Sequence, residues 1–189
     1  MLSDSVGKIA YLSGRDDSMK DAQYCTVLDG RTVPTKPVEF EIIQGSLIRD
    51  FAGNDRSMLI VSEKVLSLFV TSGFSGWREY PVRLFGRDGK GIRAKYHGLS
   101  VIGRTGRLDS RRSVTKWYNC RDGRKTIAGI RGLYFDVRQW DGSDIFMFKD
   151  NDVGGVIVTK RVIAALKTSK STGWESVPVL KFTMGVQNP

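Results

Sequence analysis

The side chains best equipped for chemistry in this 189-residue chain are few and scattered: one histidine, His97, and two cysteines, Cys25 and Cys120. A Ser–His–Asp or Cys–His arrangement would have to use His97 as its base. His97 lies in Ala94-Lys95-Tyr96-His97-Gly98-Leu99, a strand-like stretch without a nucleophile elbow. Two cysteines and one histidine fall short of a tetrahedral zinc site, and no C-x-x-C occurs. Without a secretory signal the thiols read as reduced core residues. Gly86-Arg87-Asp88-Gly89-Lys90-Gly91 is glycine-rich but lacks the spacing and the Lys-Ser/Thr of a phosphate-binding loop, so it reads as a hairpin turn. Asp141 and Asp144 stand at i and i+3 around a glycine, the pattern of turns and caps. The expectation is a protein without catalytic residues, cofactor or metal.

What stands out instead is charge. The formal net charge is +10, and most of the surplus falls between residues 104 and 131. Arg104, Arg107, Arg111, Arg112, Lys116, Arg121, Arg124, Lys125 and Arg131 face only Asp109 and Asp122 there, with Trp117 and Tyr118 among them. Arginine interleaved with Trp and Tyr is the composition of protein-interface hot spots. The same interleaving suits phosphate contact and base stacking on nucleic acid, and a solvated loop would also carry it. A positive potential favours acidic partners and speeds their association. The residues from Arg104 to Lys125, the two aromatics included, are the candidate partner-binding set.

The elements that must hold this stretch show an internal repeat. Leu59-Ile60-Val61-Ser62-Glu63-Lys64-Val65-Leu66 returns as Val156-Ile157-Val158-Thr159-Lys160-Arg161-Val162-Ile163. Thr71-Ser72, Gly76-Trp77 and Pro81-Val82 return as Thr168-Ser169, Gly173-Trp174 and Pro178-Val179 without a gap. In each copy a short apolar run reads as the end of a buried strand. Ser62 or Thr159 then offers its oxygen to the first turn of a helix. Val65, Leu66 and Phe69, and again Val162, Ile163 and Leu166, form that helix's apolar face. Glycines mark the exit, and Trp77 to Leu84 and Trp174 to Phe182 read as strands. Trp77 and Trp174 are expected in the core, and Trp140 under a turn at Asp141-Gly142. Elsewhere Val38, Phe40 and Ile42 alternate with glutamates as in a half-buried strand. Residues 92–102, 132–137 and 144–148 are further strand candidates.

These same residues resemble a family of predicted immunity proteins from bacterial polymorphic toxin systems. The similarity rests on Val61-Ser62-Glu63, Gly76 and Pro81-Val82, then on Tyr96 to Val101 with Asp109 and Ser113. It continues through Gly142-Ser143-Asp144-Ile145-Phe146, Ile157-Val158-Thr159 and Gly173-Trp174. It covers residues 45–182. The paired C-x-x-C-G motifs of a related branch are not matched. The resemblance implies a scaffold shared across the family with a variable toxin-facing surface. It implies stoichiometric inhibition of a cognate toxin domain, for which the positive charge suggests an acidic contact face.

The expected architecture is α+β, one strand-rich domain over residues 1–189. It would carry two repeated strand–helix–strand units at about 57–84 and 154–182. No run approaches the roughly eighteen apolar residues of a membrane span. Met1 to Leu12 lacks a basic region and a cleavage site, so a cytoplasmic location is expected.

Overall fold

A computed structural model of the chain describes residues 8–15, 21–119, 125–149 and 155–185. Among them are three α-helices and twelve strands, an α+β fold rich in strands. In chain order these are β1 (Tyr11–Gly14), α1 (Asp21–Leu28), β2 (Val38–Gln44), β3 (Gly53–Asn54), β4 (Leu59–Ser62), α2 (Glu63–Thr71), β5 (Trp77–Phe85) and β6 (Tyr96–Val101). There follow β7 (Gly103–Thr105), β8 (Val114–Asn119), β9 (Lys125–Arg131), β10 (Ile145–Phe148), β11 (Ile157–Val158), α3 (Lys160–Thr168) and β12 (Thr183–Met184).

Six strands form the main sheet, in the order β3-β1-β2-β5-β6-β4, and two three-stranded sheets run β11-β10-β7 and β12-β9-β8. The alternation seen in the sequence at β2 places Val38, Phe40 and Ile42 inward, all buried. They join Leu12, Tyr24, Ile60 and Tyr80 in one apolar cluster. A second cluster lies under α2 and α3, where Val65, Leu66 and Phe69 meet Val162 and Leu166 across Leu99, Val101, Ile145 and Met147. A third, around Ile130, Phe146, Phe148 and Ile157, supports the basic segment.

The two helices match residue for residue at the repeat offset, α2 from Glu63 and α3 from Lys160. The flanking elements diverge. Trp77–Phe85 is a nine-residue strand because it lies between β2 and β6, which supply ladders on both sides. Trp174 to Phe182 is not the strand expected from the sequence. Among the described residues it has no such pair of neighbours, Pro178 lacks an N–H, and Val179–Lys181 closes a 3₁₀ turn. Its polar groups are met by the exit of β9 instead, where Leu133 N–H donates to Val179 O and Gly132 N–H to Phe182 O.

Other expectations need correction as well. Ser62 and Thr159 occupy the caps of α2 and α3, but neither side chain bonds its helix. Residues 132–137 are not a strand, since Gly132 takes a left-handed φ of 71° and ends β9. In the 92–102 stretch only Tyr96–Val101 is strand. Helix α1 was not anticipated. It buries Tyr24 and Val27 and leaves Cys25 exposed on the other side, so this thiol is not in the core. Cys120 lies outside the described residues.

Candidate protein-interaction surface

The scaffold is tied together by two aspartates. The Asp144 carboxylate, almost fully buried, accepts the Thr159 hydroxyl at 2.9 Å and the Ser75 N–H at 3.3 Å. Arg161 stands 3.4 Å from both of its oxygens. Asp50 does the same for the other helix. It accepts the Ser62 hydroxyl at 2.8 Å, the Thr172 N–H at 2.9 Å and hydroxyl at 3.1 Å, and Lys64 at 3.4 Å. The cap hydroxyls missing from the helix ends are these.

Each aspartate therefore joins the start of one helix to the loop that follows the other. The next backbone bond follows suit, with Ile145 N–H donating to Ser75 O and Phe51 N–H to Thr172 O. The glycines after Ser75 and Thr172 are held to this contact. A Cβ on Gly76 would lie 2.0 Å from Ile145 O, and one on Gly173 2.3 Å from Phe51 O. Burial raises the Asp50 carboxyl, but the bonds from Ser62 and Thr172 and the charge of Lys64 outweigh it, holding the group below the ordinary carboxylate range. Asp50 went unnoticed in the sequence. The available signal was Asp-Phe ahead of the first repeat copy, in the place Asp144-Ile145 takes ahead of the second.

The basic segment leaves this scaffold as a hairpin. β8 and β9 pair antiparallel from Val114↔Arg131 to Asn119↔Lys125, with a bulge whose extra residue is Ala128 on β9. Thr115 stands opposite the fully buried Ile130. By strand alternation Thr115 and Trp117 share that inward side, while Val114, Lys116 and Tyr118 share the outer one. Trp117 nevertheless is 51% exposed, Tyr118 58% and Val114 60%. The hairpin thus reaches past its own core and shows aromatic surface on both faces.

At its base Asp109 folds the approach, accepting the N–H groups of Arg111 and Arg112 on its carboxylate and that of Ser113 on its carbonyl. Arg112 lies over the Tyr134 ring, 4.6 Å from its centre. Arg111 is exposed beside it. Arg104 is placed differently, its guanidinium turned onto the carbonyls of Val101, Gly103 and Asp29. Asp141 receives the Arg104 N–H and the Ser143 N–H and hydroxyl. Burial pushes its carboxyl up, and these bonds with the Arg104 charge bring it net below the usual range. Arg107 stands between these groups in sequence and has a partner of its own. Arg121 and Arg124 lie outside the described residues, and of Lys125 only the backbone is described. The structure therefore places Arg111 and Arg112 in the turn before the hairpin and Lys116, Trp117 and Tyr118 along β8, all exposed, and turns Arg104 inward.

The chain matches the family model described as immunity protein family (Imm11) over residues 6–181. It belongs to that family. No curated protein matches it. In this Imm11 chain the Gly142–Phe146 element packs into the fold. Asp144 makes the clamp, Phe146 is buried, and Trp140 packs against Phe146 at 5.3 Å while donating its indole N–H to Ser143 O. Trp77 and Trp174 pack on the second cluster and donate to Phe74 O and Ser171 O, both at 2.9 Å. His97 bridges Glu79 and Glu63 at 2.7 and 2.8 Å, joining β6 to β5 and to the start of α2. No described helix is long and apolar enough to cross a membrane.

Proposed function

We propose that this Imm11 protein neutralises a cognate bacterial toxin in the cytoplasm by stoichiometric, non-catalytic binding, with the β8–β9 hairpin as its main contact. The observation that carries the reading is the family membership together with a hairpin that exposes Trp117 and Tyr118 close in sequence to the exposed Arg111, Arg112 and Lys116. Large aromatics and arginine are the residues that dominate binding energy when a partner desolvates them. Their positive sign supports a toxin with an acidic contact face. The candidate set remains Arg104, Arg107, Arg111, Arg112, Lys116, Trp117, Tyr118, Arg121, Arg124 and Lys125, of which Arg104 serves by holding the approach to the hairpin in place.

The test is recovery of partners with the tagged protein at moderate salt, with nuclease added. A single co-purifying toxin domain, whose killing is relieved by co-expression, supports the proposal. Nucleic acid alone before nuclease and no protein after it, with affinity falling steeply in salt, points to a nucleic-acid-binding protein instead.

A further inference from the structure

The edge of β8 adds a constraint on how a partner docks. Among the described residues β8 is an edge strand of its sheet. Apart from β9, no described segment hydrogen-bonds the backbone of residues 114–118. An edge of this length that no described segment pairs with is a template for another strand, and proteins usually keep such edges short, charged or covered. Here Lys116 supplies charge, yet its neighbours are Trp117 and Tyr118, each more than half exposed.

Those two aromatics are consecutive in a strand, so they point to opposite faces. One flat partner surface laid on the hairpin would cover Tyr118 and leave Trp117 in water, or the reverse. A segment running alongside β8 flanks both faces at once, because its own side chains alternate in the same way. Its backbone would take up the open N–H and C=O groups, and its side chains would contact each ring.

Charge decides what that segment is. Arg111 and Arg112 stand just before β8 and Lys116 lies within it. A second copy of this chain pairing edge to edge would bring like charges together, which destabilises a strand pair. An extended segment carrying Asp or Glu would be stabilised there.

We infer that an acidic, extended segment of the toxin adds to the edge of β8 as a further strand, covering Trp117 on one face and Tyr118 on the other. This rests on the immunity reading and specifies its docking mode.

Residue-resolved amide hydrogen exchange on the full chain tests it, free and bound to the toxin domain it co-purifies with. In the free protein, alternate amides of residues 114–119 exchange fast. In the complex those same amides slow at least about tenfold, and Lys116→Glu weakens binding by about tenfold or more without changing the free protein's Tm. If the outer amides stay fast in a complex that still relieves killing, the immunity reading stands and strand addition is wrong. If the amides are already protected in a concentration-dependent dimer, the edge belongs to a second copy and the inference fails. If no toxin is bound and no killing is relieved, the immunity reading itself fails and takes this inference with it.

Discussion

Removing the Asp144 carboxylate tests the scaffold most sharply. Asp144→Ala deletes the acceptor for the Thr159 hydroxyl and the Ser75 N–H and removes the ion pair to Arg161, which keeps its contacts with Ser72 O and the Phe74 ring. Hydrogen bonds to charged groups contribute about 1.5–3 kcal/mol each. The bond to Thr159 is well formed at 2.9 Å, whereas that to Ser75 is long at 3.3 Å and belongs at the lower end. Arg161 is 66% exposed on its side chain, so solvent screening holds its ion pair below about 1 kcal/mol. The expected loss is about 3–5 kcal/mol. Trp77 and Trp174 pack on the cluster the clamp closes, so their fluorescence reports unfolding in urea. With a slope of about 2 kcal/mol/M, the midpoint should fall by about 1.5–2.5 M. Arg161→Ala should cost about 1 kcal/mol or less, and in the Asp144→Ala background its effect should shrink to the share from Ser72 O and the Phe74 ring. A midpoint unchanged in Asp144→Ala, or a larger loss for Arg161→Ala, would refute this account of the clamp.

Other consequences follow from the same geometry. The Asp50 carboxyl titrates below its ordinary value of about 3.9. Its stabilisation is therefore complete above that pH and is lost as pH falls through the lower folded value, so thermal melts from pH 5 downward should show a flatter acid limb for Asp50→Asn than for the native protein. Gly76→Ala and Gly173→Ala place a Cβ against a carbonyl at φ of 92° and 86° and should each cost more than about 2 kcal/mol. Gly73→Ala, with open space and a φ of 62°, should cost only about 1 kcal/mol, and differential melting separates the cases. Trp117→Ala and Tyr118→Ala should each weaken toxin binding by about 2 kcal/mol, measured by calorimetry. Charge reversal at Arg111 and Arg112 should slow association and reduce its dependence on salt.

The scaffold was largely legible because periodicity carries it. The alternation in β2 and the helical spacing of Val65, Leu66 and Phe69 each followed from one buried face. The repeat marked both helix starts, but it overreached at Trp174 to Phe182. A strand needs a neighbour's ladder, and local sequence cannot say whether one is in reach. The cap residues misled for a similar reason. Ser62 and Thr159 look like partners for their own helices, yet Asp50 and Asp144, brought in from outside the helical segments, take the hydroxyls. Composition found the basic, aromatic segment. It could not show that Trp117 and Tyr118 stand on opposite faces of an edge strand, nor that Arg104 spends its guanidinium on backbone carbonyls.

The most direct test of the central claim is growth rescue by co-expression with the toxin domain, comparing the native chain with a Lys116→Glu, Trp117→Ala, Tyr118→Ala triple variant of unchanged Tm. The account predicts that the native chain restores growth when present at least equimolar with the toxin, while the folded triple variant does not. Rescue by the variant equal to that by the native chain would contradict it and place the toxin-binding surface away from the hairpin.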